Sequence, residues 1–129
     1  MLSSDFTTKI EQEIARFSGV VRDDETLEGY LIFRLDPKEN SSMIENINEL
    51  NFAIIKLNSR PLVMELSCDR NLSKLLRDKY ESVLPAKLMD PRKWIRVIGS
   101  GAPTETEIID LVRLSYNLVK EDASQALDF

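Results

Sequence analysis

RPLVMELSCD, residues 60–69, leads into NLSKLLRDKY (71–80), VLPAKLMDPRKWIRVIGSG (83–101) and TETEIIDLVRLSYNLVKE (104–121), and this run decides the fold. The first segment is apolar and short enough for a strand, with Pro61 confined to its entry or an edge because proline cannot donate to a ladder. Asp69 is a good N-cap for a helix in which Leu72, Leu75, Leu76 and Tyr80 align. Pro85 opens a further extended segment, AKLM, and Asp90-Pro91-Arg92-Lys93 reads as a four-residue turn with proline second. KWIRVIG alternates, setting Trp94, Arg96 and Ile98 on one sheet face and Ile95 and Val97 on the other. Thr104 and Glu107 have capping-box spacing for a last helix whose stripe is Ile108, Leu111, Val112, Ser115, Leu118 and Val119. The chain from Asp122 is expected to fray.

Upstream, Ser3 or Ser4 can cap a helix carrying Phe6, Ile10, Ile14 and Phe17 on one face, with Gly19 as its stop. VVRDDETLEG (20–29) is polar and turn-like, although Val20 and Val21 can begin pairing. YLIFRL (30–35) reads as a strand ended by Asp36-Pro37. Residues 36–50 form a polar connection in which Ser42 and Glu45 have capping-box spacing and Ile44, Ile47 and Leu50 recur near helical period. FAIIKL (52–57) and residues 60–67 flank Asn58-Ser59, a tight connection suited to a hairpin.

The order is therefore helix, three strands, helix, two strands, helix, spanning residues 1–129 as one domain with 122–129 as a tail. Strands in runs, joined by hairpins and bounded by helices, indicate an α+β two-layer sandwich, α-β(3)-α-β(2)-α, with an antiparallel sheet covered by helices on one face. A chain of 129 residues with 43% hydrophobic and 30% charged residues can bury a core without staples. No apolar run approaches the ~20 residues of a membrane span, the N-terminal stretch lacks signal-peptide character, and the expected location is cytoplasmic, with no membrane partner.

Histidine is absent and Cys68 is the only cysteine. This excludes His-based triads, His-bearing zinc sites, thiolate cages and an internal disulfide. Gly99-Ser100-Gly101 precedes a helix, but Glu105 and Glu107 already complement that helix's dipole. Cys68 lies beside a helix N-terminus that lowers a thiol pKa, while Asp69 opposes the effect; a small residue packed at a strand end is the simpler reading. Asp23-Asp24-Glu25 sits in a polar loop with no apolar wall to raise a carboxyl pKa. No catalytic residue, cofactor or metal site is expected, and the protein is read as not an enzyme.

The net charge of −5 is unevenly spread. Residues 1–55 carry 5 basic and 11 acidic side chains, residues 56–96 carry 10 and 5, and residues 97–129 carry 2 and 6. The middle segment alone has a positive field. Trp94 lies there between Lys93 and Arg96, which suits base stacking beside phosphate contacts and equally suits a core tryptophan opening a central strand.

LSCD (66–69), Pro85, MDPRKW (89–94) and SYNLV (115–119), together with the element order, resemble the MmcQ/YjbR family over half to two-thirds of the chain. The resemblance implies a fold similar to frataxin-like and secretion-chaperone-like domains. It also implies DNA binding through two wing-like hairpins, the label many members carry. Where many relatives have Tyr-His before the methionine, this chain has Lys87-Leu88, so no role of that histidine transfers. The connection at 36–50 is longer than expected between the first two strands.

Two functions follow as expectations. One is nucleic-acid binding by Arg60 at one hairpin tip, by Lys87, Arg92 and Lys93 in the other hairpin, and by Arg96 with Trp94 on an open sheet face. The other is a protein-interaction or chaperone-like adaptor, homodimeric or not, that uses the open face around Tyr30 and Trp94 or an edge strand.

Overall fold

A computed structural model describes residues 2–40 and 46–127, with side chains described at 6–40 and 46–124. Among these residues the order is α1 (Leu2–Ala15), β1 (Val20–Asp23), β2 (Tyr30–Leu35), a 3-10 turn (Ile47–Leu50), β3 (Asn51–Lys56), β4 (Val63–Ser67), α2 (Arg70–Lys79), β5 (Val83–Pro85), β6 (Trp94–Ile98) and α3 (Glu105–Leu127). The strands form one six-stranded sheet in the order β1-β2-β3-β4-β6-β5, every adjacent pair antiparallel. The α+β two-layer architecture is thus as expected, with one more strand. Val20–Asp23 pairs with β2 and makes four strands before α2.

The helices share one side of the sheet. Phe6, Ile10 and Ile14 of α1 and Ile108, Val112 and Val119 of α3 are buried against Leu31, Phe33, Ala53, Ile55, Met64, Leu66, Ile95 and Val97, with Leu72 and Leu76 of α2 packed at the margin. A bulge between β2 and β3 shapes this layer: Phe33 pairs with Ala53 and Arg34 with Asn51, leaving Phe52 as the extra residue. Phe52 and Ala53 therefore both join the helix-side core. The Phe52 ring meets Tyr116 edge-on at 5.4 Å, Tyr116 lies 4.7 Å from Phe17, and its hydroxyl donates to the Ser18 carbonyl at 2.6 Å. Ser115 is buried in the same layer because its hydroxyl donates to the Phe52 carbonyl at 2.5 Å.

Local capping follows the sequence in two helices. Asp69 accepts from the amides of Asn71 and Leu72, and Thr104 and Glu107 form the reciprocal box, at 2.9 and 3.2 Å. Three boundaries differ. α1 begins at Leu2, so Ser3 and Ser4 lie inside it. α3 continues through Leu127, with Ala123 buried, instead of fraying at Asp122. β3 and β4 are joined by residues 57–62, a wider loop than a tight Asn58-Ser59 turn. Pro61 has no N–H for the ladder, Ser59 donates to the Pro61 carbonyl, and Asn58 takes a left-handed φ of 57°. The Ser42–Glu45 capping pair lies outside the described residues; before β3, Asn46 caps the 3-10 turn.

On the second face, at the β1–β2 end, Arg34 is buried with its Nε donating to Asn51 and its Nη1 to Asp23, both at 2.8 Å. Asp23 also accepts from the Thr26 hydroxyl at 2.5 Å and from the amides of Glu25 and Thr26. The Thr26 hydroxyl chiefly, then these amides and Arg34, hold the Asp23 carboxyl far below the usual carboxylate range. A depressed folded pKa contributes stability that is present above the unfolded value of about 3.9 and is lost as pH falls below it. Asp23→Asn removes the counter-charge of a buried guanidinium and is expected to cost about 3 kcal/mol at neutral pH. The variant's loss of stability between about pH 5 and 2 should be shallower than the parent's in urea melts. Parallel pH profiles would show that Asp23 does not carry the effect.

Candidate basic surface at the β4–α2 junction

The face away from the helices is not open. Alternation does place Trp94 and Arg96 together there, opposite Ile95 and Val97, but both are buried. Trp94 packs with Ile32, Ile54 and Ala86 under Leu27, Tyr30 and Met89. The cover comes from the β5–β6 connection, residues 86–93, and from Leu27, just before β2, and Tyr30, its first residue. Pro85 ends β5 and does not open a strand, because the amides of the next residues bond elsewhere.

Their acceptor is Glu65, almost fully buried in β4. Its carboxylate accepts from the backbone N–H of Lys87 at 2.7 Å, Leu88 at 3.1 Å and Met89 at 3.2 Å. Arg96, directly opposite on β6, places Nε 3.5 Å from the same carboxylate. Burying a carboxylate is tolerable only with this density of donors and a counter-charge. The segment 86–93 is thereby folded back over the sheet, and the turn 90–93, closed by Lys93 N–H to the Asp90 carbonyl at 3.0 Å, is set at the Ser67 end of β4.

The six residues expected to bind nucleic acid are dispersed by this arrangement. β4 and β6 are antiparallel, with Val63 opposite Ile98 and Ser67 opposite Trp94. Arg60 precedes β4 and Lys93 precedes β6, so they lie at opposite ends of the sheet. Two hairpin tips do not converge on one side. Trp94 is a core residue and Arg96 is committed to Glu65. Arg92 is exposed, but its guanidinium holds Asp90 at 2.9–3.1 Å, and these bonds, followed by the Arg92 amide, draw the Asp90 carboxyl down to about 2. Lys87 and Lys93 remain exposed.

The structure instead gathers positive charge around α2. Arg70, Lys74 and Arg77, spaced four and three apart, lie along one flank of the helix. All three are exposed, and none forms an ion pair among the described residues. Arg70 lines a recess of about 510 Å³ together with Arg92 and Lys93, and Asp69 and Asp122 line it as well. The spacing was visible in RNLSKLLR, but only the tertiary placement of α2 beside the 90–93 turn joins the stripe to it. Glu65 was the other residue missed; a lone carboxylate inside the apolar run VMELS was its signal.

Cys68 is buried at this junction, and burial, with the Asp69 charge second, pushes its thiol up to about 11. Among the described residues no group of three or more His, Cys, Asp or Glu is placed to hold a metal. No described helix is long and apolar enough to cross a membrane.

Glu65→Gln replaces one acceptor oxygen with a donor and strips Arg96 of its counter-charge. It is expected to cost about 3 kcal/mol or more, speed hydrogen exchange at the amides of Lys87, Leu88 and Met89, and shift Trp94 emission to the red. Unchanged exchange at those amides would show that other contacts hold the segment. For Cys68, alkylation by iodoacetamide at pH 8.5 should run about a hundredfold slower than in the urea-unfolded chain from ionisation alone, and accelerate up to about pH 11. A folded-state rate matching the unfolded one would place the thiol in solvent.

No family model matches the chain, and no curated protein matches it in sequence. Solved structures do. Protein DR2400 of Deinococcus radiodurans, with the family-model domain DUF419, superposes with a TM-score of 0.75 at 18% identity, over 88% of this chain and 77% of that one. A protein from Pseudomonas syringae superposes with a TM-score of 0.63 at 22% identity, over 87% and 97% of the two chains. The α+β fold, a six-stranded antiparallel sheet with its helices on one side, is therefore one this chain shares with a DUF419 domain.

Proposed function

We propose that this domain is a non-enzymatic binding module for a polyanion, DNA foremost, gripped through its phosphates by the flank of α2 and the adjoining 90–93 turn. The observation that carries the reading is the convergence of Arg70 and Lys93, with Arg92 held by Asp90 beside them, on one recess that Asp69 and Asp122 also line, continued along the helix by Lys74 and Arg77. The likeness of LSCD, MDPRKW and SYNLV to the MmcQ/YjbR family, whose members are often labelled DNA-binding, supports the same reading. The mode differs from a two-winged grip, because Arg60 lies at the far end of the sheet and Trp94 is unavailable for stacking. Contacts to phosphates position a protein without reading sequence, so little base preference is expected.

The chain's pI of about 4.8 sets the conditions. Carboxylates elsewhere repel a polyanion at long range, and binding is expected only at low salt. The adaptor alternative loses the open face assigned to it, since Trp94 is buried and Tyr30 half-buried on a covered face, and keeps only its edge-strand route.

Fluorescence anisotropy with a mixed-sequence duplex tests the reading. Phosphate contacts from Arg70, Lys74, Arg77 and Lys93, with Arg92 held by Asp90, predict a log–log salt slope of about −3.5. Arg70→Ala/Lys74→Ala/Lys93→Ala should weaken binding at every salt and bring the slope about three closer to zero, while Arg60→Ala leaves both unchanged. Absence of binding at ~50 mM salt, or a slope the triple variant does not alter, ends the proposal.

A further inference from the structure

α2 and α3 run antiparallel. The last turn of α2 meets the start of α3, where the Tyr80 hydroxyl donates to Glu107 at 2.9 Å, and the first turn of α2 faces Leu118 and Asp122 across the basic recess. Between the two helices lies a cleft of about 350 Å³, floored by Leu66 and Ile95 and walled by Leu72, Leu111, Leu114 and Leu118. The two most exposed large apolar side chains among the described residues stand on it. Leu114 is 52% exposed on the rim, and Leu75, three residues beyond Leu72 on the same flank of α2, is 65% exposed. Leucines gathered at one surface in this way mark a site of association.

The order of the charges indicates what covers them. Lys79 follows Leu75 by one turn and continues the α3-facing flank of α2. Glu121 follows Leu114 by two turns and closes the other end of the cleft. Both are exposed, and neither forms an ion pair among the described residues. The neighbouring acids are already engaged: Glu107 by the Tyr80 hydroxyl and the Thr104 amide, Asp69 by the cap of α2, and Asp110 by Arg113. Lys79 sits at the Glu107 end, its ammonium 5.1 Å over the Tyr80 ring, roughly 20 Å along α3 from Glu121. The cleft thus has a cation at one end, a carboxylate at the other and Leu114 midway. A ligand of one charge answers only one end. A second copy, turned end for end by a twofold axis through the leucines, answers both.

We propose that the α2–α3 cleft is the isologous interface of a homodimer, with Leu75 and Leu114 of both copies at its centre and each Lys79 beside the other copy's Glu121. Two helix faces of about 20 Å by 20 Å bury roughly 800 Å² over both copies, below the standard interface. The net charge of −5 on each copy opposes approach as well. The dimer is therefore reversible, with a dissociation constant on the order of 100 µM. This goes beyond the polyanion reading and does not rest on it, because Arg70, Lys74 and Arg77 lie on the opposite flank of α2.

Sedimentation velocity of the full chain without nucleic acid, from ~10 µM to ~1 mM, tests it, and the weight-average coefficient should rise from monomer toward dimer over that range. Leu114→Glu, at a half-exposed position, should leave a monomer throughout. Lys79→Glu and Glu121→Lys should each weaken self-association about tenfold, by setting like charges against each other at both ends. An equimolar mixture of those two variants should recover the parent's affinity, since the mixed pair regains an opposite-charge contact at each end. A parent chain monomeric at ~1 mM would leave the cleft to a partner of another kind and overturn the proposal. So would a dimer that survives Leu114→Glu, or a mixture no tighter than its components. The parent's own series needs no substitution, so a variant that fails to fold does not shelter the idea. Duplex binding at low micromolar chain should be the same for Leu114→Glu as for the parent. Dimerisation without duplex affinity would sink the polyanion reading alone, and the reverse would sink this one.

Discussion

A carboxylate at the middle of a central strand, shut away from water, has to be met by donors and a positive charge, and Glu65 organises half of this molecule by that requirement. The amides it needs come from Lys87, Leu88 and Met89, more than twenty residues away in sequence. Meeting it draws the 86–93 segment back over the sheet. Trp94 is covered as a result, Arg96 is neutralised, and the Asp90–Lys93 turn is held at the edge of α2. Replacing such a group by an apolar residue can be neutral in energy. What the carboxylate supplies here is the position of one loop, and with it the placement of the surface cations around Arg70.

Much of the architecture was legible. Period-two alternation in KWIRVIG sorted Trp94 and Arg96 from Ile95 and Val97 correctly, Asp69 and Thr104 announced their helices, and the Asp90–Lys93 turn formed as its residues require. These are local effects, decided within a few residues. The misses are long-range. Whether the Trp94 face is open depends on a loop recruited by Glu65. Whether Arg60 and Lys93 are neighbours depends on the antiparallel register of β4 and β6. β1 was half hidden by its own charges: Arg22 faces solvent and Asp23 turns inward to Arg34, a pattern that resembles a loop until the buried partner is known. Leu75 aligned with Leu72 and Leu76 by period but stands 65% exposed, because α2 lies at the margin of the core.

Charge is partitioned in the same way. Arg34 and Arg96 are sealed in separate networks on the second face and contribute nothing to the field outside. A count of cations along the chain therefore overstates the positive surface, while the i, i+4, i+7 spacing on α2 understates how concentrated it becomes beside the 90–93 turn. The candidate site is more compact than the segment that suggested it, and it lies on the helix side of the junction.

The two outermost strands carry a consequence of another kind. β5 spans three residues and stops at Pro85, while β1 spans four, one of them the charged, exposed Arg22. Neither border offers a long, flat row of unpaired backbone groups. Strand-by-strand growth into fibres has little template here, so crowding this chain should favour contacts through side chains over a continuous intermolecular β-ladder.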